Sequence, residues 1–363
     1  MATISDEPEI PKSHKAIIYD QPGTISTKVV EVETPEPGPG EILVRFVCQS
    51  DQSVMLSEWQ RTVGLPPVEA GFIGGHEGVG VIRKMGPGNN NSRLKVGNRV
   101  GIKLAASICG SCGSCLMGLE SRCRSSKAIG IRNHGTFQQY MVTDTFSATP
   151  IPDGLDSAAA APMLCAGITV YTALKRTDAK PGQWVVVMGA GGGLGHIACQ
   201  LGSRGLSFRI IGVDHGSKED LVLETGAEAF LDYTKFDDKT IGQEVARLTG
   251  GGATAVVACT SSNTAYSSAL HMLGLGGTLV CVGIPEGDPR EIQGLHPYIM
   301  IGKHLTVRGV MLGNRRDAIE MMDFAARGVV KPHYRLEKME NLSTVFQEMS
   351  DARLMGRVVL DLQ

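Results

Sequence analysis

Four cysteines, Cys109, Cys112, Cys115 and Cys123, fall inside "CGSCGSCLMGLESRC" with the spacing C-x2-C-x2-C-x7-C. Thiolates on such short chelate loops close around one tetrahedral ion, and four protein ligands leave zinc no open position. Gly110 and Gly113 let the backbone curl around the ion. A closed site of this kind ties down a lobe and is silent about chemistry. The same sulfur ligands also suit an iron–sulfur cluster, and free thiols are the remaining alternative. Disulfides fit poorly, because the chain has nine cysteines, an odd number, and reads as a protein of a reducing compartment.

A second set is thinner by spacing and better by residue type. Cys48 follows the apolar run "ILVRFV", His76 sits in "GGHEGVG", and Cys165 in "APMLCAGIT". Two thiolates and one imidazole hold zinc with a fourth position left for substrate. Taken singly, a buried cysteine or a turn histidine is more often inert. A third feature, "VVVMGAGGGLGHIA", reads as a buried strand running through a glycine turn into a helix, where backbone N–H groups can meet phosphate oxygens. Aligned to end at Gly195, the pattern G-x-G-x-x-G has Ala190 first and Gly192 third, with Gly191, Gly193 and Leu194 between and beside them. The following strand "RIIGVD" ends in Asp214, whose carboxylate can accept both ribose hydroxyls of NAD and repels a 2′-phosphate. Lys218 nearby gives NADP a lesser claim. Val282, in "LVCVGIPEG", ends a later strand where a nicotinamide would lie.

The elements that must carry these residues are legible in outline. Up to about residue 150, short strands such as "KAIIYD", "ILVRFVC" and "GVGVIRKMG" alternate with Pro- and Gly-rich turns, which suits an antiparallel, partly open β-barrel. Beyond Pro162 helices alternate with apolar strands, the pattern of a doubly wound parallel sheet in an α/β chain. From residue 305 the mixed pattern resumes, and the tail is expected to rejoin the first unit. The boundaries read 1–165, with a cysteine lobe at about 101–125, then 166–304, then 305–363. The chain has 363 residues and a formal charge of −2, with no basic face for nucleic acid. Its acidic, Pro-containing start lacks the apolar run of a signal peptide, so a cytoplasmic protein is expected.

Together "CQSD" at 48–51, "GGHEGVG", the cysteine lobe, "GTFQQY" at 135–140, "APMLCAGITVY", "GAGGGLG" and "GRVVLD" at 356–361 resemble the zinc-dependent medium-chain alcohol dehydrogenases, and among them the fungal ethanol-type branch. The resemblance implies a GroES-like catalytic domain interrupted by a Rossmann domain, two zinc ions per subunit, and hydride exchange between NAD(H) and an alcohol or aldehyde. It implies that Cys48, His76 and Cys165 bind catalytic zinc, with Glu77 beside them as an alternative ligand or a charge that tunes the site. Asp51 would orient His76, Ser50 would hydrogen-bond the substrate oxygen, and Arg357 would meet the cofactor pyrophosphate. A homo-tetramer is expected, or a homo-dimer, joined through Rossmann-domain strands.

The chain also departs from that pattern. Leu56 stands where the resemblance implies a histidine that relays the proton. Leu104 follows "GIK" where ethanol-preferring members carry tryptophan, while Trp59 is retained. An isobutyl group in place of an indole, and a longer loop in "EWQRTVGLPPVEAGF", predict a substrate larger than ethanol, such as an intermediate of secondary metabolism. The alternatives are a reductase of bulky secondary alcohols or ketones, and an NAD(H)-binding protein without turnover.

Overall fold

The alternating segments of the first part form eight strands: β1 (Ser13–Tyr19), β2 (Thr27–Glu33), β3 (Glu41–Ser50), β4 (Phe72–Ile73), β5 (Gly78–Met85), β6 (Arg99–Ile102), β7 (Tyr140–Asp144) and β8 (Thr149–Pro150). The structure is a computed structural model and describes residues 9–50, 68–90, 92–285, 290–351 and 353–363. Asp51, Leu56, Trp59 and most of the longer loop lie outside the described residues.

β1 pairs antiparallel with β2 and β4. β3 is the hub of a second sheet, antiparallel to both β5 and β7, and β6 and β8 extend it beyond β5. The N–H of Ile17 donates to the carbonyl of Phe137 at 2.7 Å, and Ala16 bridges Gln138, so the sheets curl toward each other. Between them Ile17, Val44, Phe46, Ile82, Ile102 and Phe137 are buried in one apolar cluster. This is the partly open barrel, closed by inward-facing apolar residues that alternate along each strand.

The second part forms β9 (Trp184–Met188), β10 (Arg209–Asp214), β11 (Ala229–Asp232), β12 (Ala253–Ala258), β13 (Leu273–Cys281) and β14 (Thr306–Gly309), all parallel, in the order β11-β10-β9-β12-β13-β14. Val185, Val186, Val187, Val256 and Val257 have no exposed surface, because helices cover both faces. The helices announce their ends locally. Asp237 and Thr240 form a reciprocal cap on helix Asp238–Thr249, and Gly250 at φ 77° stops it. No single helix among the described residues is long and apolar enough to cross a membrane.

One boundary differs from the sequence reading. β14 lies beyond residue 304 yet is the sixth strand of the parallel sheet. As an edge strand it is only half-buried, so "TVRG" lacks the apolar run that marks its neighbours. The true return comes later, with β15 (Tyr334–Lys338) and β16 (Arg357–Asp361). β16 pairs antiparallel with the end of β3, setting Val359 against Ser50 and Asp361 against Cys48. Helix Ala166–Lys175, buried along its whole length except Lys175, packs with Val185, Val257 and Met321 in a core shared by both parts.

Candidate active site

The cysteine lobe is assembled as its spacing implies. The sulfurs of Cys109, Cys112, Cys115 and Cys123 all lie within 4.8 Å of one another. The Cys112–Cys115 and Cys123–Cys109 sulfur pairs are 3.6 Å apart, far beyond a disulfide bond of about 2.05 Å. Backbone N–H groups of Ser111 and Cys112 donate to Cys109 and pull its pKa down to about 6. Gly110 has φ 68°, as expected of a tight curl, but the second left-handed turn is at Gly118, φ 74°, and Gly113 instead opens a short helix. The lobe is tied to helix Arg315–Ala326. Glu120 accepts the N–H of Arg315 at 2.8 Å and its Nε at 2.9 Å, and that guanidinium lies 3.4 Å from the Phe146 ring centre. Four sulfurs without an oxygen donor suit zinc. A Cys112→Ser protein is expected to carry one fewer metal ion per chain and to melt at lower temperature, because a closed zinc site contributes directly to folding. Elemental analysis beside a thermal melt checks both; unchanged metal content would refute the four-sulfur site.

A second cluster joins His76, Glu77 and Cys165, whose ligand atoms also lie within 4.8 Å of one another. His76 and Glu77 are buried, 6% and 1% exposed. Among the described residues the buried His76 Nδ1 has no hydrogen-bond partner, an orphan that a cation would satisfy. The reason this loop can pass so deep is glycine. Gly75 has φ 85°, and a Cβ on Gly130 or Gly135 would stand 2.5 or 1.9 Å from the Gly75 carbonyl oxygen. Thr136 and Phe137 donate backbone N–H bonds to Gly75 and Gly74, both at 3.0 Å, and hold the loop. Cys165 sits where the tight turn Ala161–Leu164 breaks into helix Ala166–Lys175, with φ −127° and ψ −68°. Its carbonyl still accepts the Thr169 N–H at 2.9 Å, so Cys165 starts that helix. An imidazole, a thiol and a carboxylate fit zinc.

Cys48 lies outside the group whose ligand atoms all fall within 4.8 Å of one another. A bulge between Phe46 and Cys48 breaks the register of β3 against β5 and re-aims the strand end. The thiol is packed in the shared core, where burial first, then Asp156 and Asp361, push its pKa up to about 12. The resemblance places Cys48 with the others. Ser50 and Arg357 are also arranged differently. Arg357, 2% exposed, donates to Ser50 Oγ at 3.1 Å and forms an ion pair with Glu77. Its charge also reaches His196, on the helix that leaves the glycine turn. Arg357 therefore lies between the two candidate sites, bonded to the metal side. Gln49 and Thr136, bonded to each other behind Gly75, were not singled out by residue type. "GTFQQY" was the available signal for Thr136.

The glycine turn joins β9 to helix Gly195–Gln200, next to the strand where the sheet order reverses. The left-handed position is Gly189, φ 72°, one residue before Ala190. Motif counting missed it because torsion, not spacing, marks it. The Gly189 carbonyl accepts the Gly192 N–H at 3.0 Å, and a Cβ on Gly195 would come within 2.0 Å of that carbonyl oxygen. Gly193 is buried and Leu194 packs on the shared core. Asp214 Oδ2 accepts the Gly191 N–H at 2.8 Å, and Lys218 Nζ lies 3.3 Å from Asp214 Oδ1. Val282, at the end of β13, packs against the same core, and Leu104 is buried. A glycine turn with an acid at the next strand end fits a dinucleotide with free ribose hydroxyls.

A barrel carrying two thiol-containing clusters, interrupted by a dinucleotide-type sheet, defines a zinc-type dehydrogenase. The chain belongs to the zinc-dependent medium-chain alcohol dehydrogenases. Residues 38–153 match the alcohol dehydrogenase GroES-like domain family and residues 193–327 the zinc-binding dehydrogenase family. The chain is 53% identical to alcohol dehydrogenase 2 of Emericella nidulans over 98% of this chain and 99% of that protein. It is 37% identical to an alcohol dehydrogenase of Schizosaccharomyces pombe, over 97% and 98%. In three dimensions it is similar to an NAD-dependent alcohol dehydrogenase at TM-score 0.85 and 25% identity, covering 96% of this chain and 100% of that one. The protein is an enzyme of alcohol dehydrogenase type.

Proposed function

We propose that the enzyme interconverts a primary alcohol larger than ethanol and its aldehyde, using NAD(H). The cluster of His76, Glu77 and Cys165 carries the reading, because two buried ligand groups and a half-buried thiol converge there with an orphaned imidazole nitrogen. These residues would hold zinc, which would supply Lewis acidity toward an alcohol or carbonyl oxygen. The glycine turn would hold NAD, the hydride acceptor, with Asp214 available to its ribose hydroxyls and Val282 to its nicotinamide end. Glu77 and Arg357 fix each other beside His76, and Ser50 is placed to hand on a hydroxyl proton once its oxygen is released from Arg357. Asp51 keeps its proposed role in orienting His76. Two zinc ions per chain, a catalytic unit of 1–165 and about 310–363, and a cytoplasmic location complete the proposal. A homo-tetramer is supported by the exposed Tyr298 and Ile301 on the helix leading to the edge strand β14, and by exposed Leu275 on β13.

Leu104 in place of tryptophan supports the larger substrate. With NADH and a series from acetaldehyde through hexanal to benzaldehyde and cinnamaldehyde, kcat/KM is expected to rise with size, by roughly tenfold or more per filled methylene position. Leu104→Trp is expected to reverse the trend. Preference for acetaldehyde in the parent enzyme would return the ordinary ethanol reading, and turnover confined to ketones the secondary-alcohol one.

A further inference from the structure

Helix Gly195–Gln200 turns two buried polar side chains toward the returning segment 331–333. His196 has no exposed surface and Gln200 is 3% exposed. Gln200 brackets Lys331, its Nε2 donating to the Lys331 carbonyl and its Oε1 accepting the Lys331 N–H, both at 2.9 Å. One turn earlier, the N–H of His333 donates to His196 Nε2 at 3.1 Å. A backbone N–H can only donate, so Nε2 is the unprotonated nitrogen and Nδ1 carries the hydrogen. That hydrogen is donated to the carbonyl of Gly192, 2.8 Å away in the glycine turn. The chain of contacts continues beyond His333, whose carbonyl accepts the N–H of Arg357 at 2.8 Å. Arg357 in turn holds Ser50 and Glu77.

We propose that His196 is a positioning residue that couples the cofactor turn to the metal side of the active site, through His333 and Arg357. One neutral imidazole spans the two parts of the enzyme and sets their spacing. Dinucleotide bound at the turn is thereby felt at Ser50 and Glu77, and the state of those groups is felt by the dinucleotide. The role rests on the dinucleotide reading given above. Burial and the nearby Arg357 charge keep the imidazole neutral at working pH, its pKa lowered to about 4.

Two near-isosteric variants divide the coupling. In His196→Asn the amide can still donate to Gly192 but falls short of His333; in His196→Gln the amide oxygen can accept from His333 but the side-chain bond to Gly192 is lost, leaving that carbonyl only the backbone N–H of residue 196. Both are expected to bind NADH roughly five- to tenfold more weakly in calorimetric titrations, as loss of one buried hydrogen bond implies. KM for the alcohol is expected to rise as well, although no alcohol touches His196. On the parent enzyme, NADH is expected to slow amide deuterium exchange over 331–334 as well as over 189–195. That measurement decides the matter even if neither variant folds. NADH protection of 189–195 with none over 331–334 would overturn the coupling and leave the dinucleotide reading intact. Parent affinity in both folded variants would overturn it equally. A parent enzyme that binds no NADH would overturn the dinucleotide reading and this role together.

Discussion

A Gly135→Ala enzyme is expected to lose the metal at His76 while keeping the one in the cysteine lobe. The added Cβ would stand 1.9 Å from the Gly75 carbonyl oxygen and 2.5 Å from that of Gly74. Both obstacles are backbone, so no side chain can swing aside. The loop 74–76 must retreat by more than about 1 Å to restore van der Waals contact, and His76 moves with it. Misplacement on that scale costs on the order of 10²-fold in turnover, and the overpacking itself about 1–3 kcal/mol of stability. Gly302→Ala is the control. It lies in helix Pro297–Lys303 with nothing within 4 Å of an added Cβ, and should leave both metals and turnover unchanged. Metal counts and kcat for the two proteins settle the point. Parent metal content and turnover in Gly135→Ala would mean that the glycine contact does not place His76.

The second large effect lies in the buried ion pair. Arg357→Met should destabilise the enzyme by about 3–5 kcal/mol, because it removes one partner of an ion pair whose carboxylate is 1% exposed. The loss should be larger than the pair itself contributes. Removing both charges in Arg357→Met/Glu77→Gln is therefore expected to recover about 1–3 kcal/mol of the deficit. Arg357→Lys keeps the charge but loses the fork that reaches Ser50 and Glu77 together, and should fall between. Chemical denaturation of these four proteins, with Glu77→Gln alone to close the cycle, measures the coupling. A double variant no more stable than Arg357→Met alone would show that Glu77 is solvated when unpaired, against its burial.

What was legible in the sequence was local. The cysteine lobe needs only its own spacing, and the parallel sheet announces itself through apolar runs between helices. β14 was misassigned because an edge strand loses the burial that makes its neighbours readable. The bulge before Cys48 depends on β3 meeting β5, which residue type cannot report. Gly189 was passed over in favour of Ala190 because a motif counts positions whereas the turn selects a torsion angle. Arg357 was read as a phosphate ligand; its bonds to Ser50 and Glu77 join residues 307 and 280 positions apart, a distance over which no pattern is visible.

Those separations have a consequence for how the enzyme comes into being. β3 leaves the ribosome some 300 residues before β16, its antiparallel neighbour. Until β16 emerges, the end of β3 is an unpaired sheet edge, and Glu77 is a carboxylate without its arginine. The parallel sheet, encoded between them, can fold meanwhile as a unit of its own, as domains generally do during synthesis. The first-made part of the protein is thus the last to be finished. Nascent chains released before Arg357 should carry a folded nucleotide-type sheet, an open-edged barrel and no activity.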